Sequence, residues 1–520
     1  MSLRHFTAFL LITSLLLITF GCGSRTDGEN AVTIALSDAF SGLDTLSTST
    51  PDSAADRLRT LIFNSLVKKN EKFEYVGELA KEIKIGDDNV TVTFTLQDNV
   101  KFHNGKDFTS ADAKYTLDSL FSSGGYKGAS FFDTVNDQRQ PHIVSMETPD
   151  AKTLVIKVAR PALVNQLLSN LVAIPIIPEG TLEQQKTSPV GSGPFKFVSF
   201  DQVNNFVSLE ANQNYWEGAP KIRKLNVKTV TDANALQAEM QSGRVDIAPN
   251  PTNFSADTFN SLKNNPNLQV IQSNGSNIRY IGFNVSTEPV NNVKLRQAIA
   301  YAIDREKIIN DLLAGQATVA HSILPQESWA YSAGTQYSYN PERARQLVQE
   351  SGYKGEPIEF KIASGNAAVN LYAQVIQQSL KDVGINANIV TLENNTLLEQ
   401  LRLGQFQMNT SIWVGGNQDP IFLRDLFASG ESPDKKKGGR NRARYSNPEF
   451  DKIIEEAVNA TDKNRARELY VRAQEIVSSE LPLLPLWYPA NMVVASKRLG
   501  NIKINPSGDW TFMKDVTLNN

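Results

Sequence analysis

The run from Ile358 to Trp413 leaves a chain of this kind few folds, because short apolar stretches alternate there with longer stretches of helical period. Ile358, Phe360 and Ile362 read as a strand, 369–383 as a helix stopped by Gly384, 385–392 as a strand, 396–403 as a helix and 408–413 as a strand. A βαβαβ unit implies a parallel sheet with helices on its faces. Ligands of such open sheets bind beyond the carboxyl ends of the strands, and Trp413 with the loop after it occupies that position.

The rest of the chain is also mixed α and β. Val90, Val92, Phe94 and Leu96 alternate with threonines, the period-2 pattern of a strand with one buried face. Asn104-Gly105, between runs 100–103 and 106–108, predicts a β-hairpin, and Thr109 to Asp112 predicts a capped helix start. Asn340-Pro341 and Asn447-Pro448 each put an N-cap before a proline at the first helical position.

A chain of 520 residues exceeds a single compact core, so two or three domains are expected. Hydrophobic residues make up 41% and charged residues 21%, ordinary for a folded protein surrounded by water. A net charge of −3 offers no electrostatic footprint for nucleic acid and no general affinity for anionic lipid.

Cys22 is the only cysteine, so it has no partner for an internal disulfide. It follows the apolar run Phe6 to Phe20 and precedes a small, polar stretch, 23–30. At about 15 residues the run suits a signal-peptide core better than a membrane span. Ile18-Thr19-Phe20-Gly21-Cys22 resembles a bacterial lipobox, although Thr19 and Phe20 stand where Leu and a small residue are usual. We therefore expect residues 1–21 to be a signal peptide, Cys22 to carry lipid and 22–30 to form a flexible tether. An ordinary secretory signal with an incidental cysteine is the alternative.

Several segments, in order along the chain, resemble the family 5 solute-binding proteins of ABC transporters, the dipeptide and oligopeptide receptors. They include 100–105 with 109–113, Val190-Gly191-Ser192-Gly193-Pro194-Phe195, Asn214-Tyr215-Trp216, Gly282-Phe283-Asn284, 295–304, 413–420, 445–451 and 481–486. The resemblance implies a type II periplasmic-binding-protein fold, two α/β lobes around a ligand cleft, with an extra subdomain inserted in the first lobe. The first lobe would take 31–60, 190–275 and 485–520, the insertion 61–189 and the second lobe 276–484. The implied activity is capture of peptides by lobe closure and delivery to an ABC permease and ATPase complex, by a protein held to a bacterial membrane on its periplasmic or outer side through lipid alone. A monomer is expected. Relatives on the same fold take nickel chelates, oligosaccharides, opines or haem, and these stay open as ligands.

The loop Trp413 to Pro420 carries the candidate site. In the peptide-binding branch the similar loop supplies an aspartate that pairs with the ligand's α-ammonium group, which gives that role to Asp419 and makes Trp413 an apolar wall beside Asn417. An ammonium taken out of water requires such a partner. Without the family, Asp419 reads as a turn residue before Pro420 and Trp413 as core. No residue presents itself as the receptor for a peptide carboxylate. The basic stretch Lys435 to Arg444 reads as a solvated surface tip.

A secreted hydrolase is the competing class. Past the leader the histidines are His103, His142 and His321, without HExxH or HxH spacing, and no GxSxG occurs, so no catalytic residue, metal site or cofactor is expected.

Overall fold

A computed structural model describes residues 31–519, apart from 41, 45, 51, 136, 137, 416, 417 and 437. Cys22 with its leader and tether, and Asn417, lie outside the described residues.

Ala31–Leu36 is buried along its whole length, and it forms the centre of a seven-stranded sheet. It runs parallel to Lys224–Thr229 and to Ile247–Pro249, while the outer strands pair antiparallel. A continuous apolar run is what a strand covered on both faces requires. A six-stranded sheet has the order Ala317–Val319, Leu483–Pro489, Ile278–Phe283, Met408–Trp413, Ile358–Ala363, Ala387–Leu392. Within it Ile358–Ala363 is parallel to both Ala387–Leu392 and Met408–Trp413, with helices Ala367–Asp382 and Asn394–Arg402 between them. The βαβαβ unit expected from the periodicity is present. Separate apolar clusters cover this sheet on its two faces.

Thr91–Leu96 buries Val92, Phe94 and Leu96 and turns its threonines outward, in a four-stranded antiparallel sheet formed by residues 80–158. The Asn104-Gly105 turn closes the short hairpin expected of it. The Lys101–Asp107 bridge joins its arms, with Phe102 N donating to Lys106 O at 2.9 Å and Phe108 N to Val100 O at 3.0 Å, and Gly105 takes positive φ. Helix Ser110–Ser123 begins with the expected capping box, in which the buried Asp112 accepts from Thr109 N at 2.9 Å and from Glu179 N at 2.9 Å.

The chain passes between the two large sheets through 274–277 and returns at Ala490. These passages touch: a Cβ on Gly275 would stand 2.1 Å from Pro489 O. Gly193 answers a similar constraint, because its N–H donates to Ile62 O at 2.8 Å and any Cβ would meet Ile62 C at 2.5 Å. Ser192-Gly193-Pro194 thus leads from the inserted segments into strand Phe195–Asp201 by pressing on the end of helix Ser53–Ile62.

Candidate functional site

Trp413 ends its strand, and its ring is held on three sides. It stacks on Tyr280 at 6.3 Å, meets the edge of Phe422 at 5.0 Å and lies 5.7 Å from the Arg442 guanidinium. Its indole N–H is buried and has no acceptor among the described residues.

Asp419 is buried, and both of its carboxylate oxygens are engaged. Oδ1 accepts from Ile421 N at 3.0 Å, the local contact that an aspartate beside a proline turn makes. Oδ2 accepts from the Tyr75 hydroxyl. Burial, and after it the negative charge of Asp419, holds the Tyr75 phenol well above its ordinary value, so the proton stays on tyrosine.

Tyr75 brings with it a hairpin that the sequence did not single out. Strands Val67–Lys69 and Tyr75–Gly77 pair antiparallel, and their connecting turn lies on elements of the six-stranded sheet's half. Lys69 Nζ stands 3.4 Å from Gln418 Oε1, and Gln418 in turn donates to Ser276 Oγ at 2.9 Å in the passage between sheets. Burial lowers the pKa of the Lys69 ammonium, against which the Asp419 carboxylate pulls upward. Glu74 forms an ion pair with Lys463, whose ammonium lies 5.4 Å from the Trp329 ring. Trp329 N donates to Lys72 O at 3.2 Å.

The structure therefore brings Trp413 and Asp419 into one region and places two unforeseen cations there, Lys69 and Arg442. Lys69 was invisible because its hairpin is 344 residues from the loop it meets, as the Tyr75 to Asp419 separation measures. Arg442 was read as part of a solvated tip. Lys435 and Lys436 are exposed, but the second half of that stretch is built in: the buried Asn441 donates to Ala428 O at 3.0 Å and to Tyr445 O at 2.8 Å. Among the described residues no group of three or more His, Cys, Asp or Glu side chains is arranged for a metal ion.

Two α/β halves joined by paired passages, with charged and aromatic groups facing each other across the join, define a two-lobed solute-binding protein. The family profile of bacterial extracellular solute-binding proteins, family 5, matches residues 74–434, and the chain belongs to that family. It is 30% identical over 476 residues to Heme-binding protein A of Haemophilus influenzae, covering 86% of this chain and 85% of the relative. Oligopeptide-binding protein AppA of Bacillus subtilis is 27% identical, over 89% of this chain and 87% of its own. Among solved structures, HbpA2 from Haemophilus parasuis superposes with a TM-score of 0.79 at 25% identity, covering 94% of this chain and all of that one. Members of the family are extracytoplasmic and serve ABC importers.

Proposed function

We propose that this protein captures a peptide-like solute in the cleft between the two sheets and hands it to an ABC permease, without catalysing a reaction on it. The observation that carries the reading is the meeting of the Trp413 to Pro420 region with hairpin 67–77, which brings the carboxylate of Asp419 and the ammonium of Lys69 together where the two halves touch. Both signs at one contact between the halves suit a zwitterion. Relatives named for oligopeptides, dipeptides and glutathione support the same ligand class. The named haem binder supports a second reading. Against it, His103 and His142 are tied to Gly193 O and Asp133 in the inserted region, and His321 lines a cavity with Leu423 and Gln474.

In this reading the lobes are 31–60 with 190–275 and the chain after Ala490, and 276–489, with 61–189 inserted in the first. We take the return passage at Ala490 rather than at 485, a choice supported by the pairing of Leu483–Pro489 within the six-stranded sheet. Asp419 offers Oδ2 to a ligand ammonium, which takes the place of the Tyr75 hydroxyl, with Trp413 beside it. Cys22 carries the acyl chains that hold the protein to the membrane.

Mass spectrometry of the solute that co-purifies, with thermal shift against tripeptides and against haemin, tests the ligand class. Peptides in the purified sample and a peptide-dependent rise in Tm are expected; stabilisation by haemin alone would replace the peptide reading. Changing Cys22→Ser should release the protein from the membrane fraction.

A further inference from the structure

The turn of hairpin 67–77 is held in a conformation that its own residues do not favour. Phe73 takes φ 58°, a left-handed backbone uncommon for a bulky residue, and it is buried although Glu71 and Lys72 beside it are exposed. Such a conformation persists only where its surroundings impose it. Within the turn Asn70 Oδ1 accepts from Lys72 N at 2.9 Å and from Glu74 N at 3.0 Å, while its amide donates to Glu74 Oε2 at 2.6 Å. The Glu74 carboxylate is thereby aimed across the join, where Oε1 accepts from Lys463 Nζ.

Lys463 breaks a local rule from the other side. It is the first residue of helix Lys463–Glu480, which has no acidic residue in its first turn. Asp462 caps the helix by accepting from Arg465 N at 2.7 Å, yet a cation at the first position faces the positive end of the helix dipole. The compensating charge is Glu74, 389 residues away along the chain. The hydrogen bond from Lys463 holds the Glu74 carboxyl below its ordinary value, so it is ionised at neutral pH. Trp329 completes the contact. Its ring lies 5.4 Å from the Lys463 ammonium and meets the edge of Tyr470 at 5.8 Å, its carbonyl accepts from Arg467 Nε at 3.0 Å, and its N–H donates to Lys72 O at 3.2 Å. Trp329 and the start of helix Lys463–Glu480 thus form a seat on the second half for a turn carried by the inserted segments.

We propose that the Glu74–Lys463 pair, seated on Trp329, is an interlobe clasp that holds part of the solute-free population closed and so sets the affinity for every solute alike, an assignment that rests on the two-lobed solute-binding reading. Parting the lobes leaves Lys463 opposed to its own helix end, so closure is favoured before a ligand arrives. A solute then supplies less of the closing free energy, and its apparent affinity rises with the fraction of molecules already closed. Glu74 and Lys463 act as positioning residues, through the lobes rather than on the solute.

The test uses the full mature protein freed of co-purified solute, the variants Lys463→Glu and Glu74→Lys, and the double variant that exchanges the two charges. Small-angle scattering of the solute-free proteins at low ionic strength should show a larger radius of gyration for each single reversal and the wild-type radius for the exchange. Circular dichroism unchanged from the wild type separates parting from unfolding, and the carboxylate of Lys463→Glu suits a helix start. Radii that do not respond to the single reversals, or an exchange that fails to restore the wild-type value, overturn the clasp. In the second measurement trialanine, trilysine and triglutamate are the probes. Each single reversal should weaken all three by the same factor of about threefold, the size of an exposed ion pair, chiefly through faster dissociation, and the exchange should recover it. Losses that differ with peptide charge would make Glu74 or Lys463 a ligand contact and remove the clasp. If none of the peptides binds, the peptide reading fails while the scattering comparison still decides the clasp.

Discussion

Asp419 holds one donor from its own turn and one from a hairpin on the other side of the cleft, so its carboxylate is contested between structure and ligand. Breaking one side of a desolvated charge pair costs about 2 to 5 kcal/mol, so Asp419→Asn should weaken free tripeptides at least tenfold and N-acetylated ones little. Tyr75→Phe should not weaken either. Isothermal titration of both peptide forms against both variants checks this, and equal losses for both forms in both variants would make Asp419 a lobe-docking residue. His103 gives a second expectation. Its Nε2 lies 3.0 Å from Gly193 O and its Nδ1 accepts from Gly191 N at 3.4 Å, an arrangement that uses the neutral ring. Burial holds its pKa down to about 4. Unfolded, the ring titrates near 6.5, so between that value and about 4 the unfolded chain binds a proton that the native one refuses, and stability falls as pH falls through this window. From pH 7 to 4.5 the loss is about 2 kcal/mol, and urea midpoints of His103→Gln should show a pH dependence smaller by that amount.

At the scale of elements, the paired passages between the sheets decide how the lobes can move. Gly275 has a backbone carbonyl where its side chain would be, so Gly275→Ala must push the passage away from Pro489. Overpacking of this kind costs about 1 to 3 kcal/mol, and differential scanning calorimetry should show it as a lower Tm. Gly430→Ala, with nothing within 4 Å of the new Cβ, should leave the Tm unchanged. The helix starts behave differently, because their determinants are local. Asn340 and Asn447 accept from the N–H groups of Arg343 and Phe450 at 3.0 Å each, each two residues past the proline that follows the cap.

At the scale of the whole molecule, hairpin 67–77 touches the second half through Lys69, Lys72, Glu74 and Tyr75, contacts that belong to approached lobes. A ligand that contacts both sides binds this arrangement better than a parted one and shifts the population toward it. At about 100 times its dissociation constant it should add roughly 2.7 kcal/mol to stability. Small-angle scattering should then report a smaller radius of gyration with peptide than without. An unchanged radius with a peptide that demonstrably binds would describe a rigid receptor.

The alternation from Ile358 to Trp413, the capping residues of the helices and the buried face of Thr91–Leu96 were legible in the amino-acid order, because each depends on residues a few positions apart. The order of segments also placed the chain in its family, and with it the fold. What surrounds Asp419 and Trp413 was not legible. Tyr75 and Lys69 reach the loop from more than 300 residues away, and Arg442 meets the Trp413 ring while Arg440 and Arg444 meet Asp425 and Asp434. Local periodicity records which face of an element is apolar. Which charges are left unpaired in a cleft is settled only when distant segments are brought together and water is driven out between them.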